Sequence, residues 1–319
     1  MAKILPIASG KGGVGKTVFT ANLGIILASK GEKVVIVDLD LGGSNMHTVL
    51  GIKNDMSGIG HFINNKELTF NDIIHETKYK NLHFIPGDAL FVGTANLQYF
   101  RKKQIIKGLS AIDADWVLLD LGAGTSANTI DFYTISPVGI MIGVPEVTSV
   151  LNLYSFLKNA YYRFIFQSFK KGDIIREKLA DAANLRLEKD DFRLIEFIRL
   201  LKKDFPDKEE ALTKATKDFY PKFVLNMGHS KNDINLGENL RMIVHKNLGF
   251  DMEYLGILPY EPLIEDCLNN RVPIAEKMTD SKWVTGLLNI AERLINYSEF
   301  PQAVFDEEDS KEMIMDDLE

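Results

Sequence analysis

Short, almost continuous apolar runs recur along the chain, each bounded by glycine, proline or charged residues. Runs of this length are typical of strands that are buried on both faces of a parallel sheet. Between them lie segments with apolar residues at helical spacing, as expected where helices connect successive parallel strands. The pattern predicts strands at residues 4–8, 33–38, 82–86, 116–120, 138–144, 222–226 and 254–258, and main helices at 16–29, 96–107, 236–246 and 282–295.

This alternation predicts an α/β fold with a doubly wound, mostly parallel sheet and helices on both faces. A chain of 319 residues is long enough for one such domain, which we assign to residues 1–298. Residues 154–220 have helical patterns and no strand pattern, so we expect a helical insert there. Its apolar and aromatic residues have two interpretations: helices that pack against the sheet, or a surface that binds a partner or extends a dimer.

The composition is that of a globular protein, with 45% hydrophobic and 25% charged residues. No apolar run approaches the roughly 18 residues of a membrane-spanning helix, and the N-terminus lacks a signal-peptide pattern, so we expect a cytoplasmic protein. The single cysteine, Cys267, excludes an internal disulfide and a multi-cysteine metal site, and its helical context favours a packed thiol. The histidines show no metal-binding spacing.

The net charge of −7 is concentrated at the C-terminus, where residues 300–319 hold eight acidic residues and one lysine. Such a segment is usually disordered and solvated, and this is our prediction for residues 299–319. The alternative is a tail that binds a basic partner or covers a basic face of its own protein. Elsewhere the chain is near neutral and has no basic cluster of the kind that nucleic-acid binding requires.

A phosphate-binding motif follows the first predicted strand. Residues 10–17 read G-K-G-G-V-G-K-T and match G-x-x-x-x-G-K-[ST] at every fixed position. Backbone N–H groups of such a loop surround a phosphate, and the N-terminus of the following helix adds favourable partial charge. Lys16 is placed to reach the β- and γ-phosphates and Thr17 to bind Mg²⁺, whereas a glycine-rich turn without a ligand is the alternative. The predicted nucleotide-binding residues of the loop are Gly10, Gly12, Gly13, Val14, Gly15, Lys16, Thr17 and Val18.

Three carboxylates stand at the ends of predicted strands, where ligands bind in open parallel sheets. Asp38 and Asp40 follow one apolar run, and Asp120 ends another in the manner of an aspartate that binds Mg²⁺ beside a phosphate loop. The glycines of residues 122–124 supply a flexible turn that could respond to a γ-phosphate. Any single aspartate has an alternative role as a helix cap or turn residue, but three of them together favour a site.

The loop also holds a second lysine, Lys11, which an ordinary phosphate loop does not require. The pattern K-G-G-x-G-K-[ST] resembles the deviant Walker A motif of the MinD/ParA family of ATPases, and Asp40, Gly42 and Asn45 reproduce the family's D-x-G-x-x-N. The resemblance implies that Lys11 reaches the nucleotide of a partner subunit in an ATP-bound homodimer. It also implies that Asp40 orients the attacking water, while Thr17, Asp38 and Asp120 support Mg²⁺.

Later segments extend the resemblance over residues 3–153 and 221–297. Pro145 and Glu146 resemble the family's proline–glutamate segment. In the family an asparagine at the position of Asn226 faces the adenine ring, and Pro259 and Tyr260 resemble the segment that lines the base. Asn226 has the alternative of a strand-end turn. Members often carry a basic amphipathic C-terminal helix for membrane attachment, and this chain shows no such helix.

The resemblance implies an ATPase that binds ATP or ADP with Mg²⁺, turns over slowly, is stimulated by a protein partner, and positions or counts a cellular structure. The D-L-G-A-G and P-E-V-T-S segments look most like the branch that regulates flagellar number. A DNA-partition ATPase is a second hypothesis, for which the chain offers only scattered basic residues such as Arg241, Lys246 and Arg271. An ATP-dependent biosynthetic ligase or synthase is a third.

Overall fold

The computed structural model describes residues 2–53, 55–65, 67–87, 97, 99–185 and 194–296. The described sheet has eight strands in the order β3-β4-β2-β5-β1-β6-β7-β8, and every pairing is parallel except that of β3 with β4. The strands are β1 (Lys3–Ser9), β2 (Val34–Leu39), β3 (His75–Glu76), β4 (Leu82–Ile85), β5 (Trp116–Leu121), β6 (Ile140–Gly143), β7 (Lys222–Gly228) and β8 (Glu253–Pro259).

Helices connect the parallel strands and lie on both faces of the sheet. No helix in the described ranges is long and apolar enough to cross a membrane. Short 3₁₀ helices lie at Phe70–Ile73 and Pro206–Lys208. The α-helices are α1 (Lys16–Ser29), α2 (Met46–Leu50), α3 (Ile59–Asn64), α4 (Tyr99–Ser110), α5 (Ala127–Tyr133), α6 (Val147–Ser168), α7 (Ile174–Leu185), α8 (Leu194–Asp204), α9 (Glu209–Asp218), α10 (Asn232–Leu248), α11 (Leu263–Asn269), α12 (Ile274–Lys277) and α13 (Lys282–Asn296).

The sheet separates two hydrophobic cores, and successive residues of one strand alternate between them. Along β2, Val35 and Val37 belong to one core, while Val34 and Ile36 belong to the other. Because both faces are covered, every residue of β2 is buried, which explains why its sequence reads as one apolar run ending in Asp38.

The predicted α/β architecture is confirmed, and the predicted core strands lie within a few residues of the observed ones. β3 was not predicted, because a strand of two residues leaves no apolar run in the sequence. Among the described residues helix α4 spans Tyr99–Ser110, so it ends three residues later than predicted; residue 96, the predicted start, and residue 98 lie outside the described residues. The predicted tail, residues 299–319, also lies outside them.

Within the predicted insert, the described elements are the part of α6 from residue 154 onwards, then α7, α8, the 3₁₀ helix at Pro206–Lys208 and α9. Their apolar side chains belong to the core on one face of the sheet, including Leu179, Leu201 and Leu212. The aromatic residues of the insert follow the same pattern, since Tyr161 is buried and Phe164 packs against the core. These contacts support the interpretation that the helices pack against the sheet. The assignment of residues 1–298 to a single domain stays a prediction.

The strand order brings the ends of β1, β2 and β5 together. β5 lies between β1 and β2, and in this register Asp120 pairs with Ile7 on one side and with Asp38 on the other. β1 is also the strand at which the chain's connections change direction across the sheet, and such a switch point opens a crevice beyond the strand ends. The fold therefore places the phosphate loop and two of the predicted carboxylates at one edge.

Packing of the insert helices predicts that truncating two leucines to alanine changes the stability of the protein by very different amounts. Leu212 on α9 has no exposed surface, whereas Leu200 on α8 is 54% exposed. Leu212→Ala should lower the free energy of unfolding by about 2–5 kcal/mol, because it removes buried methyl groups and leaves a cavity. Leu200→Ala is the control and should change it by less than about 0.5 kcal/mol. Chemical denaturation of both variants measures the difference, and equal stability would contradict packing of these helices into the core.

Candidate functional site

The phosphate-binding loop has the predicted context, because it connects β1 directly to the N-terminus of α1. Gly13 and Gly15 have φ angles of 79° and 84°, a region that favours glycine. A Cβ added at Gly12 or Gly13 would meet no atom within 4 Å, so this side of the loop is open. Val14, the next residue, is buried in the core and anchors the loop.

Gly10, unlike Gly12 and Gly13, is held tightly against another part of the chain. A Cβ at Gly10 would lie 2.5 Å from the carbonyl carbon of Asn152 and 2.6 Å from the backbone nitrogen of Leu153. Both atoms belong to α6, so the start of the loop packs directly against the backbone of that helix. The glycine at this position is therefore required for close approach of two backbones.

Asp120 is the centre of the polar contacts beneath the loop. Its Oδ1 lies 2.6 Å from Lys16 Nζ, and its Oδ2 accepts a 2.8 Å hydrogen bond from Thr17 Oγ1. Thr20 Oγ1 lies 3.3 Å from Asp120 Oδ1 and 2.9 Å from the Lys16 carbonyl oxygen. Both Asp120 and Lys16 are buried. Thr20 was not predicted, although its position one helical turn after Thr17 puts both hydroxyls on the same face of α1.

Asp38 is fully buried beside Asp120 and is held by its own loop. Its Oδ2 accepts a 2.6 Å hydrogen bond from Ser44 Oγ, and its Oδ1 accepts a 3.0 Å bond from the Asp40 backbone N–H. Burial and, secondly, the negative charge of Asp120 raise the pKa of Asp38 to about 7. Ser44 was not predicted, because a serine in a glycine-rich loop gives no distinctive signal.

These side chains fit Mg²⁺. A hydroxyl and carboxylates offer the oxygen ligands that Mg²⁺ prefers, and the ion normally keeps several waters. Thr17 and Asp120 are in direct contact, and Asp38 lies beside Asp120 on the neighbouring strand. The two buried carboxylates share one nearby cation, Lys16, so further positive charge would be favourable here. Within the described residues, no group of three or more His, Cys, Asp or Glu side chains forms a separate metal site.

Asp40 lies where the loop after β2 meets the loop after β5. A Cβ at Gly122 would lie 3.4 Å from Asp40 Oδ1, and one at Gly43 would lie 3.7 Å from the same atom. Both loops line a cavity of about 160 Å³, together with Ser126 and Thr129. The two segments that the sequence links to a γ-phosphate are therefore neighbours in the fold.

Lys11 forms an ion pair with Glu146, the residue that immediately precedes α6. The pair is partly solvated, with 28% of the Lys11 side chain and 59% of the Glu146 side chain exposed. This contact within one subunit was not predicted, although the sequence singled out both residues. The contact of Lys11 with a partner's nucleotide stays a prediction.

The residues predicted to contact the base lie together in a cavity beside the loop. The cavity has a volume of about 340 Å³. Asn226 is buried within β7, so it is a strand residue, and its Nδ2 donates a 2.9 Å hydrogen bond to the Val14 carbonyl oxygen. Tyr260 is 52% exposed, with its ring centroid 5.2 Å from that of His229. The cavity is lined by Gly13, Gly15, Val18, Asn226, Met227, Pro259, Tyr260, Glu261, Pro262, Ile264, Glu265, Leu268 and Trp283.

A family model described as the CobQ/CobB/MinD/ParA nucleotide binding domain matches residues 5–274, which include the loop, the three aspartates, Asn226 and Tyr260. The chain belongs to this family. Membership accounts for the strand–loop–helix arrangement and for the carboxylates at the ends of β2 and β5 in this member of the MinD/ParA group. The predicted resemblance is thus confirmed.

Named relatives come from two kinds of site-determining protein. The flagellum site-determining protein YlxH of Helicobacter pylori is 32% identical over 167 residues, covering 49% of this chain and 53% of the relative. The septum site-determining protein MinD of the same organism is 33% identical over 151 residues, covering 47% of this chain and 56% of the relative. The chain thus spans about half the length of the curated relatives it matches.

Among solved structures, MinD complexed with Mg-ADP from Pyrococcus horikoshii has a TM-score of 0.64 at 22% identity and covers 93% of this chain and 98% of that one. The apo McdA structure from Cyanothece has a TM-score of 0.59 at 17% identity and covers 92% of this chain and 100% of that one. At these identities the likeness shows a shared fold.

The contact of Gly10 with α6 predicts that Gly10→Ala is destabilising. The new methyl group would overlap backbone atoms, so the loop or the helix has to move, at a cost of about 1–3 kcal/mol. Gly12→Ala, whose methyl group would meet no atom within 4 Å, is the control and should change stability by less than about 0.5 kcal/mol. Denaturant unfolding measures both, and a Gly10→Ala protein as stable as the Gly12→Ala protein would rule out the tight contact.

The raised pKa of Asp38 predicts a pH-dependent effect of Asp38→Asn in Mg²⁺-free, nucleotide-free solution. Because the pKa rises from 3.8 to about 7 on folding, the ionised carboxylate disfavours the folded state, and wild-type stability falls as pH rises through this window. Asparagine does not titrate. The stability of the variant relative to wild type should therefore increase by about 2 kcal/mol between pH 5 and pH 8. Unfolding curves at both pH values test this, and a constant difference would be inconsistent with a raised pKa.

Proposed function

We propose that this protein is an ATP-hydrolysing switch, which binds ATP with Mg²⁺, dimerises in that state, and positions or counts a cellular structure. The observation that carries the proposal is the buried Asp120 in contact with both Lys16 and Thr17 of a phosphate-binding loop. Relatives named for determining the septum or flagellum site support the cellular role. Hydrolysis would proceed by direct attack of water on the γ-phosphate, without a covalent protein intermediate.

Phosphate binding would rest on the open side of the loop and on the Lys16 ammonium group. Gly12 and Gly13 leave room for close approach of phosphate oxygens to the backbone, and the N-terminus of α1 adds positive partial charge. Lys16 lies at the junction of the loop and Asp120, so its ammonium group would turn from this pair toward the β- and γ-phosphates. When bound, Mg²⁺ supplies charge that neutralises the phosphate oxygens, with Thr17, Asp38 and Asp120 as the residues that would hold it.

Asp40 would orient the attacking water. Its carboxylate lies beside Gly43 and Gly122, so the water-orienting group and the turn at residues 122–124 form one contiguous surface. A γ-phosphate that orders one of these loops would therefore restrict the other, and its release would free both. This coupling supports a switch, because the conformation of both loops would follow the state of the nucleotide.

The Lys11–Glu146 ion pair is consistent with a second position for Lys11. Exposed ion pairs contribute at most about 1 kcal/mol, and more than half of the Glu146 side chain is exposed. Separating Lys11 from Glu146 thus costs little compared with the charge-assisted bonds that a lysine forms with phosphate oxygens. We propose that Lys11 leaves Glu146 when it contacts the nucleotide of a partner subunit.

The other hypotheses receive less support from the described residues. Arg241, one of the scattered basic residues considered for DNA, is largely buried and lies 3.7 Å from Glu238 in an ion pair. Cys267, the only cysteine, is buried, in agreement with the predicted packed thiol. Burial is the main reason that the pKa of this thiol is raised. A biosynthetic reaction that needs a reactive cysteine is therefore not favoured.

The switch predicts a nucleotide-dependent change in mass for the full-length Asp40→Ala protein. Without the water-orienting carboxylate the variant should bind ATP·Mg²⁺ and accumulate as a dimer, while it stays a monomer with ADP·Mg²⁺. Light scattering coupled to size exclusion measures both states. Lys11→Ala in the same background should bind ATP and remain a monomer, and Lys16→Ala should lose nucleotide binding.

Two outcomes would contradict this proposal. The same mass with both nucleotides, with binding verified by calorimetry, would exclude the ATP-dependent dimer. Wild-type turnover by Asp40→Ala would exclude the role of Asp40.

A further inference from the structure

A buried chain of hydrogen bonds links helix α13 to the phosphate loop. Trp283, near the start of α13, donates from Nε1 to Asn226 Oδ1 at 2.9 Å. The same amide donates from Nδ2 to the Val14 carbonyl oxygen at 2.9 Å. Trp283 and Asn226 are both almost fully buried, and both line the cavity beside the loop. The family model ends at residue 274, so Trp283 lies beyond the matched region.

The two partners of Asn226 fix which way its side-chain amide points. An indole N–H can only donate a hydrogen bond and a backbone carbonyl can only accept one. Rotating the amide by half a turn would set Nδ2 against the Trp283 N–H and Oδ1 against the Val14 oxygen. Both contacts would then be repulsive and both buried groups would lose their partners, which is costly in a buried site.

The backbone around Asn226 restricts the side chain further. Met227, the next residue, has a φ of 59°, and the register of β7 with β8 shifts between Leu225 and Gly228. Such irregularities are frequent beside functional sites, where they redirect a side chain. On the other side, a Cβ at Gly15 would lie 2.4 Å from Asn226 Nδ2, so only glycine lets the loop approach the amide this closely.

We propose that Trp283 is a positioning residue that makes this site selective for adenine nucleotides, an inference that rests on the proposed nucleotide-binding function. Each partner uses one bonding position of the Asn226 amide, which leaves one N–H and one oxygen lone pair in fixed places for a base edge. Adenine offers an amino donor beside a ring acceptor, which matches one orientation of an amide. A 6-oxopurine offers two acceptors on one edge, and an acceptor beside an N–H donor on the other. When the same edge as in adenine faces the amide, a 6-oxopurine presents either two acceptors or the donor and acceptor in reversed order. Two acceptors pair fully with neither amide orientation, and the reversed pair fits only the rotated amide, which Trp283 and Val14 oppose.

Trp283 also packs in a hydrophobic core, so a useful test must separate positioning from packing. Trp283→Phe keeps an aromatic ring and removes only the fused ring and its N–H donor. Ile290→Val is the matched control, because Ile290 is a buried residue of the same helix and the same core whose truncation costs about 0.5–1.5 kcal/mol. The probes are ADP and IDP with Mg²⁺, which differ only in the group at the purine 6-position and in the proton on the neighbouring N1. Neither has a γ-phosphate that could be hydrolysed.

Calorimetry on the full-length proteins should show that the wild type binds ADP roughly tenfold or more tightly than IDP. In Trp283→Phe this ratio should fall by about threefold or more, because the amide can rotate with one repulsive contact fewer. In Ile290→Val the ratio should stay at the wild-type value. A folded Trp283→Phe protein with an unchanged ratio would overturn the inference, and so would a wild type that binds both nucleotides equally.

Failure of the wild type to bind either nucleotide would instead refute the proposed function. If Trp283→Phe does not fold, Trp116→Phe provides a second test, since it leaves Trp283 as the only tryptophan. Its emission should then change on addition of ADP and differ between ADP and IDP. Identical emission with both nucleotides at saturation would count decisively against contact between the base and the hydrogen-bonded pair of Trp283 and Asn226.

Discussion

The contact on which the rest of the site depends is the buried pair of Lys16 and Asp120. A carboxylate at the end of a fully buried strand would be unstable without a cation, and Lys16 is that cation at 2.6 Å. The pair in turn fixes the distance between the phosphate loop and β5, and it brings the hydroxyls of Thr17 and Thr20 to the same carboxylate. Loop, first helix and sheet are thereby joined at one charged centre.

This centre holds two buried carboxylates and a single lysine, and the excess negative charge is relevant to function. Asp38 is held beside Asp120 by the pairing of β2 with β5 and by the hydrogen bond from Ser44. In this position its pKa is raised to about 7, so the ionised carboxylate destabilises the fold. A fold selected only for stability would avoid two buried carboxylates with a single lysine. Sites that bind divalent cations and polyphosphates commonly accept such strain, since the ligand relieves it.

Much of the fold and of the phosphate site could be predicted from sequence because the relevant signals are local. Apolar runs mark strands buried on both faces, and residues 10–17 are contiguous, so one motif places Lys16 and Thr17 together. The contacts that were missed join residues far apart in the chain. Lys11 meets Glu146 because β1 and β6 are neighbours in the sheet, and Asn226 meets Trp283 because α13 packs against β8, the neighbour of β7. The two-residue strand β3 was missed because it is too short to leave a periodic signal.

The ends of the strand order have a consequence for how copies of this chain can associate. One edge of the described sheet is β3, whose two residues offer too few backbone groups for another strand to join, and the opposite edge, β8, is buried along nearly its whole length. Neither edge strand is suited to pairing with a strand of another copy, which is the route by which exposed edge strands lead to open-ended polymers. Copies of this chain would therefore associate through side chains and loops. Such association can be reversible and can depend on the ligand that the loops bind.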